Sequence, residues 1–338
     1  MQRLPSARTG SPNALNRAFF LARPTDRSAS KEPVDTSDRR SERCEQFVNE
    51  RSDHLKPEAA TAASTHYREY KLLLRSDHFV KPGHFHKYWK VTRRVARSLG
   101  IEIRKRGKPM ETHLREVLFF DTPKFRFYNN GFILRRRTFY RKGLPETTHE
   151  LTLKFRHHDR EAAAVDVRPR PPFTPTLKFK EEMLIDNDKP GGMRSIYSHG
   201  CEIRTANTAI SQSVQSISEV FPVLQRTGAK PTTLLSTVHG VAIEEVLVNF
   251  GEIDFGGKMT AKATLAIWRN RITQQHLVGE YSYQIRFAEP AAFQGKPKEL
   301  SEAFFTKLQS EAPGWIHPGT TKTAMIYQLG RIPITNRE

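Results

Sequence analysis

The chain has 338 residues, of which 37 % are hydrophobic and 27 % charged, and it carries a net charge of +19. Its mean hydropathy is −0.61. No uncharged apolar run approaches the roughly 18 residues that a membrane helix needs, so no helical span is expected and the chain reads as soluble. Two distant cysteines, Cys44 and Cys201, rule out a disulfide framework and a cysteine-based zinc site, and they suit a reducing, cytoplasmic setting. A strongly positive field attracts nucleic acid, anionic lipid or polyphosphate without choosing among them.

In chain order, residues 1–64 are rich in Ser, Pro, Arg and Asp and sustain no apolar period. Such a segment buries too little apolar surface to offset the entropy of ordering, and we expect a disordered tail. The first 25 residues hold four arginines and no acid, a faint likeness to an organellar import segment. Lys and Arg number 11 in this tail against 9 Asp and Glu, so +17 of the charge belongs to residues 65–338.

From residue 66 the period becomes two. Strands are predicted at 67–75, 116–122, 131–140, 149–157, 163–169, 177–185, 241–250, 259–269 and 278–287. Asp121-Thr122-Pro123, Asn130-Gly131, Pro190-Gly191-Gly192 and Gly256-Gly257 supply the turns. Helices are predicted at 83–100, with Phe85, Trp89, Val91, Val95 and Leu99 along one face, within 208–224 ending before Pro222, and at 298–313. Mostly consecutive strands with few helices give an α+β protein with a large antiparallel sheet.

The polar faces of these strands are unusually charged. Alternation groups Tyr67, Glu69 and Lys71; Arg135 and Arg137; Glu150, Thr152, Lys154 and Arg156; Lys178, Lys180 and Glu182; and Glu280, Ser282, Gln284 and Arg286. One such face is an ordinary wet surface. Repeated over five strands, it suggests a sheet closed with the charged faces inward and the apolar faces under helices. Buried charges need partners, and mixed bases and carboxylates suit a polyanion with a divalent cation. His84-x-His86 and His157-His158 lack companion metal ligands, and no P-loop or Ser/His/Asp order occurs.

The stretch 119–137, FFDTPKFRFYNNGFILRRR, resembles the CYTH, or triphosphate tunnel, superfamily: an Asp-Thr-Pro turn, then a Gly-led strand ending Leu-Arg-x-Arg. ELTLKFR supplies the Thr-x-Lys strand with Thr152 and Lys154, VGEYSYQIRF resembles the late acidic strand, and the likeness runs over about 66–290 with a possible continuation in 319–327. It implies an antiparallel closed eight-stranded β tunnel with helices packed outside, spanning 65–335. It further implies divalent-metal-dependent hydrolysis of inorganic triphosphate, thiamine triphosphate or a nucleoside triphosphate. In that reading Lys71, Arg135, Arg137, Lys154, Arg156 and Lys178 bind phosphate oxygens, and Glu69, Lys71 and Glu182 serve catalysis. Glu69, Glu245 and Glu280 hold Mg or Mn. Two departures stand out: Tyr67 occupies the place of the first motif glutamate, and Ser282 that of a second late acid. The alternatives are a polyphosphate- or nucleotide-binding module without turnover, an adenylate cyclase, and, less favoured, a nucleic-acid binder.

Overall fold

Strand alternation serves two environments at once, and closing the sheet separates them completely. The computed structural model describes residues 66–104, 110–186, 189, 191–317 and 321–329. The expected tail lies outside the described residues. The barrel strands are β1 (Tyr67–Leu74), β3 (Thr112–Asp121), β4 (Phe132–Arg141), β5 (Leu144–His157), β6 (Thr176–Ile185), β7 (Met193–Thr205), β9 (Ile243–Asp254), β10 (Thr260–Asn270) and β11 (His276–Arg286). Their order is β9-β10-β11-β1-β6-β7-β5-β4-β3, and pairing of β3 with β9 closes the ring. Short strands β2 (Glu102–Arg104) and β8 (Ser236–Thr237) attach to β9 and β3 outside it.

The closed barrel is as expected, with two corrections. It has nine strands rather than eight, and β1 pairs with β6 in parallel, Glu69 opposite Glu182. The extra strand is β7, MRSIYSHGCEIRT, whose apolar positions do not alternate and which no period revealed. It pairs with β5 on one side and β6 on the other. The strand expected at 163–169 is instead the end of a one-turn helix, α3 (Arg160–Ala163), followed by an extended loop. This crossover carries the chain from β5 past the position of β7 to β6, which is why β6 meets β1 in parallel.

The predicted helices are present as α1 (Pro82–Ser98), α4 (Val214–Val220) and α5 (Lys296–Glu311). A one-turn α2 (Arg126–Asn129) bridges β3 and β4, and α6 (Lys322–Gln328) follows at the C-terminal end of the described chain. Pro82 starts α1, and its most buried face is Tyr88, Thr92, Val95 and Ala96, while Phe85 and Trp89 pack at the margin. The apolar outer faces are covered as expected. Tyr70, Leu72, Leu74, Tyr281 and Tyr283 pack with residues of α1 and α5, such as Tyr88 and Phe304. Leu134, Leu151, Leu153 and Ile203 pack with Ile217 of α4.

The barrel interior is not polar throughout. Leu73, Ile133 and Trp268 form a third cluster with Ile326 and Tyr327 of α6. These residues share the inner face with the charged ones, so α6 fills part of the interior and leaves the rest as a polar cavity. Among the described residues no helix is long and apolar enough to cross a membrane.

Candidate functional site: a basic cavity inside the barrel

The cavity measures about 230 Å³. Its lining includes Lys71, Arg135, Arg137, Lys154, Arg156, Lys178, Lys180 and Lys322, against Glu69, Glu202 and Glu280. Register explains the convergence. Arg135 lies opposite Thr152, Thr152 opposite Glu202, Lys178 opposite Gly200, and Lys180 opposite Tyr67. Gly200 adds no side chain between Lys154 and Lys178, which leaves room at the centre.

The local turns set this register. Asp121 is 1 % exposed. It accepts hydrogen bonds from the backbone N–H of Thr122, Phe127 and Tyr128 at 2.7, 3.0 and 2.9 Å. That fixes the Asp-Thr-Pro turn and α2, and therefore the entry of β4. Gly131 is at φ +80°, and a Cβ there would lie 2.9 Å from the Arg156 carbonyl oxygen. Only glycine allows β4 to begin so close to the end of β5. Arg135 and Arg137 then point inward, whereas Arg136 lies over the Phe120 ring at 5.0 Å on the outer face.

Glu182, fully buried, is the hub. Its carboxylate contacts Lys71 Nζ at 2.9 Å, Lys154 Nζ at 3.0 Å and the Arg156 guanidinium at 3.0 Å. Ser198 Oγ donates to it at 2.8 Å. Burial would raise its pKa, but Arg156, Lys154 and Lys71 hold it well below the usual carboxylate range. The same crowding acts on the bases. Burial, resisted by Glu182, pushes the Lys154 ammonium down to about 7, with Lys71, Arg156 and Lys180 adding repulsion. Burial and the neighbouring Arg137 push Arg135 down to about 10.

Further round the barrel, Glu150 Oε1 lies 3.2 Å from Arg137 and 3.5 Å from Arg135. Against the effect of burial, these arginines lower its pKa to about 2. Lys178 Nζ pairs with Glu202 at 2.6 Å. Arg115, Arg135, Arg137 and Arg156 each keep a buried Nε without a hydrogen-bond partner among the described residues.

The expected phosphate-binding set, Lys71, Arg135, Arg137, Lys154, Arg156 and Lys178, is thus brought together. Of the expected metal set, Glu245 and Glu280 converge on Lys322 Nζ, at 3.7 and 3.0 Å, but Glu69 does not join them. Glu245 sits on β9, three strands from Glu69, held by Arg115 at 2.7 Å and Trp268 Nε1 at 3.0 Å. Glu280 is four residues along β11 from Gln284, the partner of Glu69. Among the described residues no three acidic, His or Cys side chains form a group able to hold a metal ion. The donor set does not fit the Mg or Mn that the resemblance implies, because each carboxylate is matched to a fixed lysine or arginine. The positions of Tyr67 and Ser282 supply no further acid.

Lys180 and Lys322 were not among the expected site residues. Lys180 was legible, since it alternates with Lys178 and Glu182. Lys322 was not, because α6 enters the barrel from outside the strand pattern. Thr321, the N-cap of α6, also faces Arg156 at 3.5 Å.

No family model matches the chain, and no curated protein matches it. Solved structures do match. One is a candidate adenylyl cyclase from Hippeastrum described as having a dominant triphosphatase activity, with 15 % identity, a TM-score of 0.39, and coverage of 81 % of this chain and 100 % of that one. Two candidate adenylate cyclases, from Bacillus halodurans and Vibrio parahaemolyticus, share 10 % identity with TM-scores of 0.35 and 0.33, each over 78 % of this chain and 98 % of the other. At these values the likenesses assign nothing to this chain. The resemblance to the triphosphate tunnel superfamily rests on the Asp121–Arg137 block and on the closed barrel whose interior that block lines.

Proposed function

We propose that the barrel is a triphosphate tunnel that takes up the phosphate chain of inorganic triphosphate, thiamine triphosphate or a nucleoside triphosphate, and that water cleaves the chain there. The supporting observation is the buried hub, where Lys71, Lys154 and Arg156 meet the carboxylate of Glu182, and Lys71 shares Glu69 with Lys180. A buried excess of positive charge is costly without an anion, and phosphate oxygens satisfy it with charge-assisted hydrogen bonds. In this reading Lys71, Lys154 and Arg156 bind one end of the chain and Arg135 and Arg137 another, with Lys178 beyond. They neutralise the charge that develops on the transferred phosphoryl group. Glu69 and Glu182 position the lysines. Lys154, close to half-protonated near neutrality, is the side chain best suited to exchange a proton.

A second reading, binding without turnover, is favoured by the ion pairing of every carboxylate that a catalytic metal would need. A phosphate-release assay over tripolyphosphate, thiamine triphosphate and ATP, each with Mg, Mn or EDTA, separates the two. We expect release from at least one compound and a drop of tenfold or more in Arg135→Ala. Binding with no release from any of them would leave only the second reading. Cyclic AMP formed from ATP in the same panel would point to a cyclase instead. We place the activity in the cytoplasm, the setting that a chain with only two cysteines suits.

A further inference from the structure

Glu69 and Glu280, the carboxylates most exposed to the cavity among the expected metal ligands, are each paired with an ammonium group. Glu69 Oε2 lies 3.3 Å from Lys71 Nζ and 3.2 Å from Lys180 Nζ. Glu280 Oε1 lies 3.0 Å from Lys322 Nζ. Both Lys180 and Lys322 also face an aromatic ring. Lys180 donates to Gln284 Oε1 and lies 5.8 Å from the Tyr67 ring centroid. Lys322 lies 4.6 Å from the Trp268 ring centroid and 3.7 Å from Glu245 Oε1. Tyr67 thus does more than omit a carboxylate: it offers Lys180 an aromatic face where an acid would recruit a second cation. Each ammonium has three donors, so after the carboxylate and the second contact each retains capacity toward the cavity it lines.

We propose that Lys180 and Lys322 act as built-in cations in place of divalent metal, so that the tunnel binds an oligophosphate without metal. The inference rests on the phosphate-chain reading above. A fixed ammonium neutralises phosphate oxygens as a bound cation would, and it needs no release or uptake of metal. Magnesium bound to a free oligophosphate lowers the charge of the chain, so it weakens capture by such a site rather than strengthening it.

Calorimetry of the full chain with tripolyphosphate, once in EDTA and once in excess Mg, tests this. We expect binding in EDTA that is at least as tight as in Mg. Lys180→Gln and Lys322→Gln should each weaken binding in EDTA by about tenfold, the usual scale for one charge-assisted contact. In the double variant Glu280 loses its ammonium partner and Glu69 keeps only Lys71, and Mg should now tighten binding. Circular dichroism and thermal melting establish that the variants fold. Wild-type binding that EDTA abolishes and Mg restores overturns the inference while leaving the phosphate-chain reading intact. Unchanged affinity in folded single variants also overturns it. Absence of binding in both conditions defeats the phosphate-chain reading itself.

Discussion

Lys154 Nζ lies 3.0 Å from Glu182 Oε1 in an interior it shares with other buried bases, and burial pushes its pKa down to about 7. Its positive charge is therefore present below about pH 7 and lost as pH rises above it. A phosphate chain favours the charged form, so binding above neutrality draws in a proton. We expect the affinity of wild type for tripolyphosphate, relative to Lys154→Arg, to fall between pH 6 and pH 9. Arginine stays charged throughout, so the ratio cancels the ligand's own titration. Buffer-dependent binding enthalpies at pH 8 should show proton uptake in wild type and little in the variant. A constant ratio would show that Lys154 stays fully charged. At this scale much of the site was legible, because a period of two separates Arg135 and Arg137 from Arg136 wherever β4 lies. The ion pairs were not legible, since they depend on which strand lies beside which.

The element that transmits the motif is the β3–β4 connection. Asp121 receives three backbone N–H groups, and Tyr327 Oη donates to it at 3.3 Å. The Tyr327 ring stacks on Tyr128 at 3.9 Å. One carboxylate thereby joins the turn, α2 and the C-terminal α6. Asp121→Ala leaves several buried donors unsatisfied, at about 1–3 kcal/mol each before relaxation. We expect a loss of roughly 3 kcal/mol in urea unfolding and weaker tripolyphosphate binding as Arg135 and Arg137 lose their register. A loss below about 1 kcal/mol would mean the turn holds without its carboxylate. The Asp-Thr-Pro turn was readable from residue types alone. Strand β7 was not, because its irregular pattern is stabilised by neighbours on both sides rather than by its own alternation. Helix α6 was missed for a related reason: its seven residues are too few for a helical period to be read, and its apolar face becomes core only inside the barrel.

The barrel holds Glu69, Glu150, Glu182 and Glu245 ionised by surrounding them with bases. Glu150 titrates near 2 and Glu69, Glu182 and Glu245 are likewise lowered. A carboxylate lowered on folding contributes stability above its unfolded pKa of about 4.3 and loses it as pH falls toward the folded value. We expect the melting temperature to fall steeply between about pH 5 and pH 2, as protonation leaves the interior bases unopposed. At neutral pH a bound oligophosphate should act in the opposite direction. Ligand at 100 times its Kd adds about 2.7 kcal/mol, seen as a rise in melting temperature that salt reduces. An unchanged melting temperature with saturating tripolyphosphate would speak against an interior phosphate site.

The sequence by itself determined the two-faced strands, the charged inner face, the turn that aims Arg135 and Arg137, and the helices that cover the outer face. All of these follow from short-range periodicity and turn chemistry. Only the tertiary structure decided the ninth strand, the parallel β1–β6 pair that puts Glu69 beside Glu182, and the entry of Lys322 into the barrel. Those depend on which distant segments become neighbours when the sheet closes. Closure also decided that the carboxylates expected to hold a metal lie within reach of lysines and arginines. Alternation states which face a charge takes, but not which opposite charge it meets there.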